Sequence, residues 1–376
     1  MAFDRVPLLA VAHQAILSGG ALGTQLFLAH LLDPSAFGIF VLIAAAVQVG
    51  LAVHAALVVF PQLMARRNNL GETATDGAAA AATLAMAGAA IWCGPIGWWL
   101  ATAAIAETLR RALAARRRLI TVLCVDVMAV LATWGALVFF IHGDHPYLSS
   151  ALVAGGALLA AFGHAFFLYS KTQPHWLGVT ALLREGIPTL PMRLLETALL
   201  PSLLAVVAWL SGTAAAAEFQ VILTMLALAN PVLFALGTVL VVDLRAGRRG
   251  EFIPALAYFL TIPFFLVLAV WPRQVLGWLF PLPYLGLADT IKVLSPIVLA
   301  AVFVHLEVCR LLAEEKHRQL LLLQSAGWFA AAITLLICWS IGSLTHAAAW
   351  TIAVAVGARF MVAVGVRATI VASPPP

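Results

Sequence analysis

The chain has 376 residues, 63% of them hydrophobic and only 10% charged, with a formal net charge of +5 and a mean hydropathy of +1.04. A soluble globular chain carries roughly 25% charged residues, so most of this surface cannot face water, and the same figures exclude a disordered chain. Four cysteines in a chain of this length exclude a disulfide-stapled module, and long unbroken apolar runs in place of short alternating ones exclude a membrane β-barrel. What remains is an all-α polytopic membrane protein.

A helix crosses a bilayer with about 20 apolar residues. The sequence predicts twelve such spans, at 8–31, 36–61, 78–94, 95–113, 119–141, 148–169, 187–210, 215–241, 253–271, 290–311, 320–341 and 345–367. The first run is too long for the core of a signal peptide and has no evident cleavage site. The stretch from Gly77 to Leu109 reads as one long span or as two broken at Gly94-Pro95. Charge decides between them. Arg66 and Arg67 precede the stretch, and Arg110, Arg111 and Arg116 to Arg118 follow it. Two spans place both clusters on one side, as the positive-inside bias requires; one span separates them.

Both termini are then cytoplasmic. Lys171 and Arg184, Arg245, Arg248 and Arg249, and Arg310, Lys316 and Arg318 fall on the same face. Of 21 Lys and Arg residues, only Arg273 and Lys292 fall outside, while Arg193 and Arg359 lie within spans. The basic loop ending at Glu185 divides the chain into a six-helix lobe over 1–170, a cytoplasmic linker over 171–186 and a second six-helix lobe over 187–376. An even number of spans per half gives both halves the same orientation, the condition for parallel repeats.

Several segments carry a family resemblance. Asp33-Pro34-x-x-Phe37-Gly38 resembles the "LGPxxFG" turn after the first helix of Wzx-type polysaccharide flippases, within the multidrug/oligosaccharidyl-lipid/polysaccharide exporter superfamily. Arg110 to Arg118 resembles their basic end of span four, and Arg184-Glu185-Gly186-Ile187-Pro188 the "xxGxP" start of span seven. Leu279 to Tyr284, with Leu311-Leu312-Ala313-Glu314-Glu315-Lys316, resembles the region around span ten. Pro281 stands where that family has glycine, Glu314 to His317 stands in place of its "GRT", and the chain is short for the family. The resemblance implies a MATE-like V-shaped transporter fold and a multi-pass protein of the bacterial inner membrane. It further implies transport of a polyprenyl-pyrophosphate-linked oligosaccharide for surface or exopolysaccharide biosynthesis by alternating access. Implied partners are the polyprenyl-linked glycan, membrane lipids, and glycosyltransferases and a polymerase of the same pathway.

Polar groups inside the spans are the candidate site residues, because an embedded charge costs about 2.5–3.5 kcal/mol on insertion scales. Arg193 and Glu196 are three apart and share one helix face. Under the resemblance they line a cavity, with Arg193 forking onto a pyrophosphate; alternatively they neutralise each other between packed helices. Pro188, Pro191 and Pro201 in the same span predict kinks, moving or static, and are the gating candidates. Asp126 is a cation or proton site, or else a snorkelling partner of Arg116 to Arg118. Glu307 and Arg310 repeat the i,i+3 pattern near His305, as a coupling site or a local pair. Arg359 faces a cavity or a carboxylate on another helix. Gln25, Gln48, His54, Gln220 and Asn230 suit sugar hydroxyls or interhelical hydrogen bonds.

No enzyme motif is present: there is no P-loop, HExxH or GxSxG. The longest outside segment, Pro272 to Asp289, is too short for an outer catalytic domain, and its Trp278, Phe280 and Tyr284 suit an interfacial belt. No cofactor is implied. His142-Gly143-Asp144-His145 offers three metal ligands without a fourth, which argues against a metal site. No basic stripe interleaved with aromatics marks a nucleic-acid surface. Cys93, Cys124, Cys309 and Cys338 read as buried apolar thiols. Three other functions compete. A cation-coupled drug antiporter of the same superfamily would commonly carry an acid in span one, where this chain has none; Asp4 precedes that span and Asp33 follows it. A lipid II flippase would call for basic residues in the first lobe's cavity, yet spans one and two have no Arg or Lys. The third is a non-transporting scaffold.

Overall fold

A computed structural model describes residues 5–62, 72–116, 118–140, 145–168, 178–245, 247, 252–341 and 344–372. The described residues are helical, without a strand. In chain order the helices are α1 (Arg5–Leu31), α2 (Pro34–His54, continued by a π-helical turn Ala55–Val59), α3 (Glu72–Ala90), α4 (Gly94–Ala115), α5 (Leu119–Phe140) and α6 (Pro146–Leu168). Then come α7 (Val179–Gly186), α8 (Leu190–Thr197), α9 (Leu199–Ser211), α10 (Thr213–Leu226), α11 (Asn230–Arg245) and α12 (Phe252–Val270). The last five are α13 (Pro272–Leu279), α14 (Ala288–Leu294), α15 (Ile297–Ala313), α16 (His317–Ile341) and α17 (Leu344–Ala372).

Local chemistry sets the helix ends. Asp33 caps α2: its Oδ1 accepts from Ala36 N at 2.6 Å, satisfying an orphan donor of the first turn. Pro34 occupies the first helical position, where a missing N–H costs nothing. The turn between α3 and α4 needs Gly94, at φ +64°, and Gly97, where any side chain would strike the Ala90 carbonyl.

Seven described helices are long and apolar enough to cross a membrane, or ten if each of three bent pairs is one crossing. One of the seven, Asp76–Ala114, covers 39 residues, but it folds back on itself. Thr83 and Thr108 lie 25 residues apart in sequence, yet their hydroxyls are 2.8 Å apart. A continuous helix would separate them by roughly 37 Å at 1.5 Å per residue. Counting this hairpin as two crossings gives eleven among the described residues, and the 27-residue α1, which is not among those counted, occupies the place of the first expected span.

The chain forms two compact units, Leu31–Ser202 and Met1–His30 with Leu203–Pro376. This division differs from the expected 1–170 and 187–376. The first helix goes with the C-terminal segment: Gln25 Oε1 accepts from Thr224 Oγ1 at 3.0 Å and from Gln220 Nε2 at 3.2 Å, both on α10. Residues 187–202 go with the N-terminal segment. There Thr189 Oγ1 donates to Ala56 O at 3.3 Å, and Gly186 lies so close to the Ala56 carbonyl and Leu57 Cα that a Cβ would be 2.7 Å from each. The end of the expected linker is the helix α7, while 171–177 lies outside the described residues.

In each unit small and branched apolar side chains pack in the interior while many aromatic ones face outward, as expected where lipid is as apolar as leucine and packing rewards close approach. In Leu31–Ser202, Ala106, Ala129, Ala160 and Ala161 pack together. In the other unit Leu233, Leu240, Ile253, Ala257, Val302 and Leu306 form the core. Phe139, Phe166, Trp209 and Phe329 lie on the surface at 70–80% exposure, a composition that only lipid accommodates.

Candidate functional site

The unit Leu31–Ser202 contains a buried polar network across five helices. His54 Nε2 on α2 lies 3.0 Å from Thr83 Oγ1 on α3 and 3.2 Å from Thr108 Oγ1 on α4. One residue before Thr108, Glu107 pairs with Arg110, and its other oxygen accepts from Arg111 Nε at 2.7 Å. Arg110 forks onto Asp126 of α5, Nε to Oδ2 and Nη2 to Oδ1 both at 3.0 Å. His164 Nε2 of α6 lies 3.6 Å from Asp126 Oδ1. Each embedded charge therefore has a partner, the condition under which ions persist in a low-dielectric interior. Nearby, Asp76 receives Gln62 Nε2 at 2.7 Å and Arg116 Nη2 at 3.4 Å.

This corrects one expectation. Asp126 is held by Arg110 of α4, and Arg116, the first of its expected partners, goes to Asp76. The sequence places Arg110 in the cytoplasmic basic cluster and does not single out Glu107, Thr83, Thr108 or His164. The available signal was Glu107-x-x-Arg110-Arg111 inside an apolar run, an i,i+3/i+4 pattern on one helix face.

The expected span seven is segmented. After α7, Ile187–Thr189 forms a 3₁₀ turn, followed by α8 and α9, and the chain bends by 52° between Thr197 and Leu199. Pro201 accounts for the position of the break: its ring would clash with the carbonyl four residues earlier, that of Thr197. Pro188 and Pro191 instead are the second residues of the 3₁₀ turn and of α8, within the first turn, where proline is tolerated. On α8, Arg193 Nη1 pairs with Glu196 Oε2 at 2.9 Å, with the two side chains 28% and 31% exposed. The guanidinium also lies over the Phe60 ring, 5.7 Å from its centroid. Phe60 directly follows the π turn Ala55–Val59, and His54 directly precedes it. Gln48 of α2 is exposed.

In the other unit, Gln25, Gln220 and Thr224 form a hydrogen-bonded cluster between α1 and α10. Asn230 begins α11, its N–H donating to Ala227 O at 2.8 Å. Arg359 of α17 is half-buried, its side chain lying against Gly327 of α16. Glu307 Oε2 is 3.6 Å from Arg310 Nη1, and Arg310 Nε also reaches Glu314 Oε1 at 3.0 Å, so the expected pair is part of a longer run of charges. His305 turns away from it, toward Leu233 O at 3.2 Å and Cys309 Sγ at 3.6 Å.

Two further expectations change. Only Trp278 of the aromatic trio faces outward; Phe280 and Tyr284 are buried, edge to face at 6.0 Å. Cys309 is buried, but Cys93 and Cys124 are exposed, and the Cys338 side chain lies outside the described residues. Of the turn 142–145, which the sequence argues against as a metal site, residues 142–144 lie outside the described residues; among the described ones no cluster of three or more His, Cys, Asp or Glu could hold a metal.

No family model and no curated protein sequence matches the chain. Solved structures do. An outward-facing multidrug resistance MATE family transporter of the MOP superfamily matches with TM-score 0.66 at 14% identity, over 98% of this chain and 96% of that one. The fold is that of the MATE transporters. An inward-facing MATE family transporter matches with TM-score 0.63 at 15% identity, covering 99% of this chain and 96% of its own. A MOP superfamily transporter from Pyrococcus furiosus, described as having a binding pocket of reverse polarity, matches with TM-score 0.66 at 13% identity, over 98% and 95% of the two chains. With its apolar helices, this fold makes the chain a multi-pass membrane protein.

Proposed function

We propose that the protein is a transporter that moves a polyprenyl-pyrophosphate-linked oligosaccharide across the bacterial inner membrane by alternating access, with both termini cytoplasmic. Transport by alternating access is supported by the fold, which is shared with outward-facing and inward-facing MATE family transporters. The substrate reading is supported by the turn and loop motifs resembling polysaccharide flippases and by a span one without an acid. The observation that carries it is Arg193, a cation about one-quarter exposed, steadied by Glu196 and Phe60 beside the bend at Ala198. A guanidinium held this way can fork onto pyrophosphate oxygens while the lipid tail stays in the bilayer. Gln25, Gln48, His54, Gln220, Asn230 and Arg359 are the further substrate contacts in this reading, Asp126 and Glu307 the coupling residues, and the three prolines the gate. The test is Arg193→Ala and Glu196→Ala. Both are expected to lower transport at least tenfold at unchanged membrane abundance. Loss of abundance in both would reduce the pair to a structural role.

A cation-coupled small-molecule antiporter is the second reading, favoured by one observation: the Glu107–Arg110–Asp126–His164 network is buried inside a helical unit. Drug efflux that depends on a proton or sodium gradient and is abolished by Asp126→Asn would select it.

A further inference from the structure

Arg273 and Lys292 are the two cations that the charge pattern strands on the outer face, against the positive-inside bias. They come together. Both line one cavity of about 340 Å³ in the unit containing α13 and α14, with Gln274 and Asp289 as its other polar side chains and Pro272 and Leu285 among its apolar walls. That volume lies at the lower end of ligand pockets, about 300–1,000 Å³. Neither cation is spent on an ion pair among the described residues. The cavity lies beside groups suited to an interface: Trp271, Trp278 and Leu282 are 53%, 81% and 80% exposed, and tryptophans concentrate at headgroup level.

We infer that this cavity holds the phosphoethanolamine headgroup of an outer-leaflet lipid. The charge arrangement selects that class. Two cations match a phosphate diester, with the Arg273 guanidinium able to fork onto two of its oxygens. Asp289 in the same wall matches a primary ammonium, and would repel a headgroup carrying negative charge alone. The acyl chains lie along the exposed apolar surface below the tryptophans. The inference relies on the orientation given under the proposed function, but not on the identity of the transported substrate.

The test uses the purified full chain and native mass spectrometry with short-chain phosphatidylethanolamine. Matched phosphatidylglycerol and inorganic phosphate serve as comparison probes. Wild-type protein retains the ethanolamine lipid in preference to both. Arg273→Ala and Lys292→Ala each weaken retention about fivefold, the equivalent of about 1 kcal/mol per surface cation. Asp289→Asn weakens the ethanolamine lipid and strengthens phosphatidylglycerol. Equal or tighter wild-type binding of phosphatidylglycerol, displacement of the lipid by inorganic phosphate at equal concentration, or unchanged retention in the cation variants would each overturn the inference. All three residues are exposed, and an unchanged melting temperature checks folding. Transport measured on the same variants separates the two claims: lipid preference can fail while transport persists, and the reverse.

Discussion

Replacing Arg110 by methionine tests the buried network most sharply. The Arg110 side chain is 14% exposed and Asp126 only 1%, so the substitution takes from a buried carboxylate the guanidinium that forks onto it, with His164 still 3.6 Å away. Removing one partner of a buried pair costs about 3–5 kcal/mol. Glu107 keeps Arg111 at 2.7 Å, which places the expected loss near the lower figure, about 3 kcal/mol. At roughly 2–4 °C per kcal/mol for a domain of this size, the purified protein should melt about 6–12 °C lower in detergent, read by circular dichroism. Arg110→Met with Asp126→Leu removes both charges, and an apolar replacement of a buried pair is often neutral. The double variant should therefore recover to within about 1 kcal/mol of wild type. A single variant that melts like wild type, or a double variant that melts as low as the single, would refute the reasoning.

Gly186→Ala should cost about 1–3 kcal/mol through overpacking, because the new Cβ would sit 2.7 Å from backbone atoms of residues 56 and 57, which cannot rotate aside; an unchanged melting temperature would contradict the close approach. Pro201→Ala restores a backbone donor and removes the clash at Thr197, so the 52° bend should relax. Membrane abundance should stay at wild-type level while transport falls severalfold, and full transport would remove the bend from the mechanism.

Crossing number was legible because hydropathy and loop charge are properties of segments. The Gly94-Pro95 hairpin followed from where arginines must lie, and the Thr83–Thr108 contact bears it out. Partnership between helices was far less legible. In a helix surrounded by lipid both faces are apolar, so periodicity does not show which face packs inward. Sequence therefore matches Asp126 to its neighbours along the chain, whereas its partner comes from α4. Sequence order groups the first helix with the residues that follow it, whereas Gln25 ties it to α10. Segmentation was visible in span seven through its prolines. In span ten, by contrast, Ser295 and Pro296 separate α14 from α15 at a 61° bend that the apolar run conceals. Pro263 lies inside the continuous helix α12, so proline alone does not locate a break.

The amount and sidedness of polyprenyl-linked glycans in cells lacking this protein test the central claim most directly. The account predicts that a completed repeat unit accumulates on the cytoplasmic leaflet, is cleared on re-expression of the wild type, and persists with Arg193→Ala. Lipid-linked glycans unchanged in amount and sidedness, with normal surface polysaccharide, would contradict it.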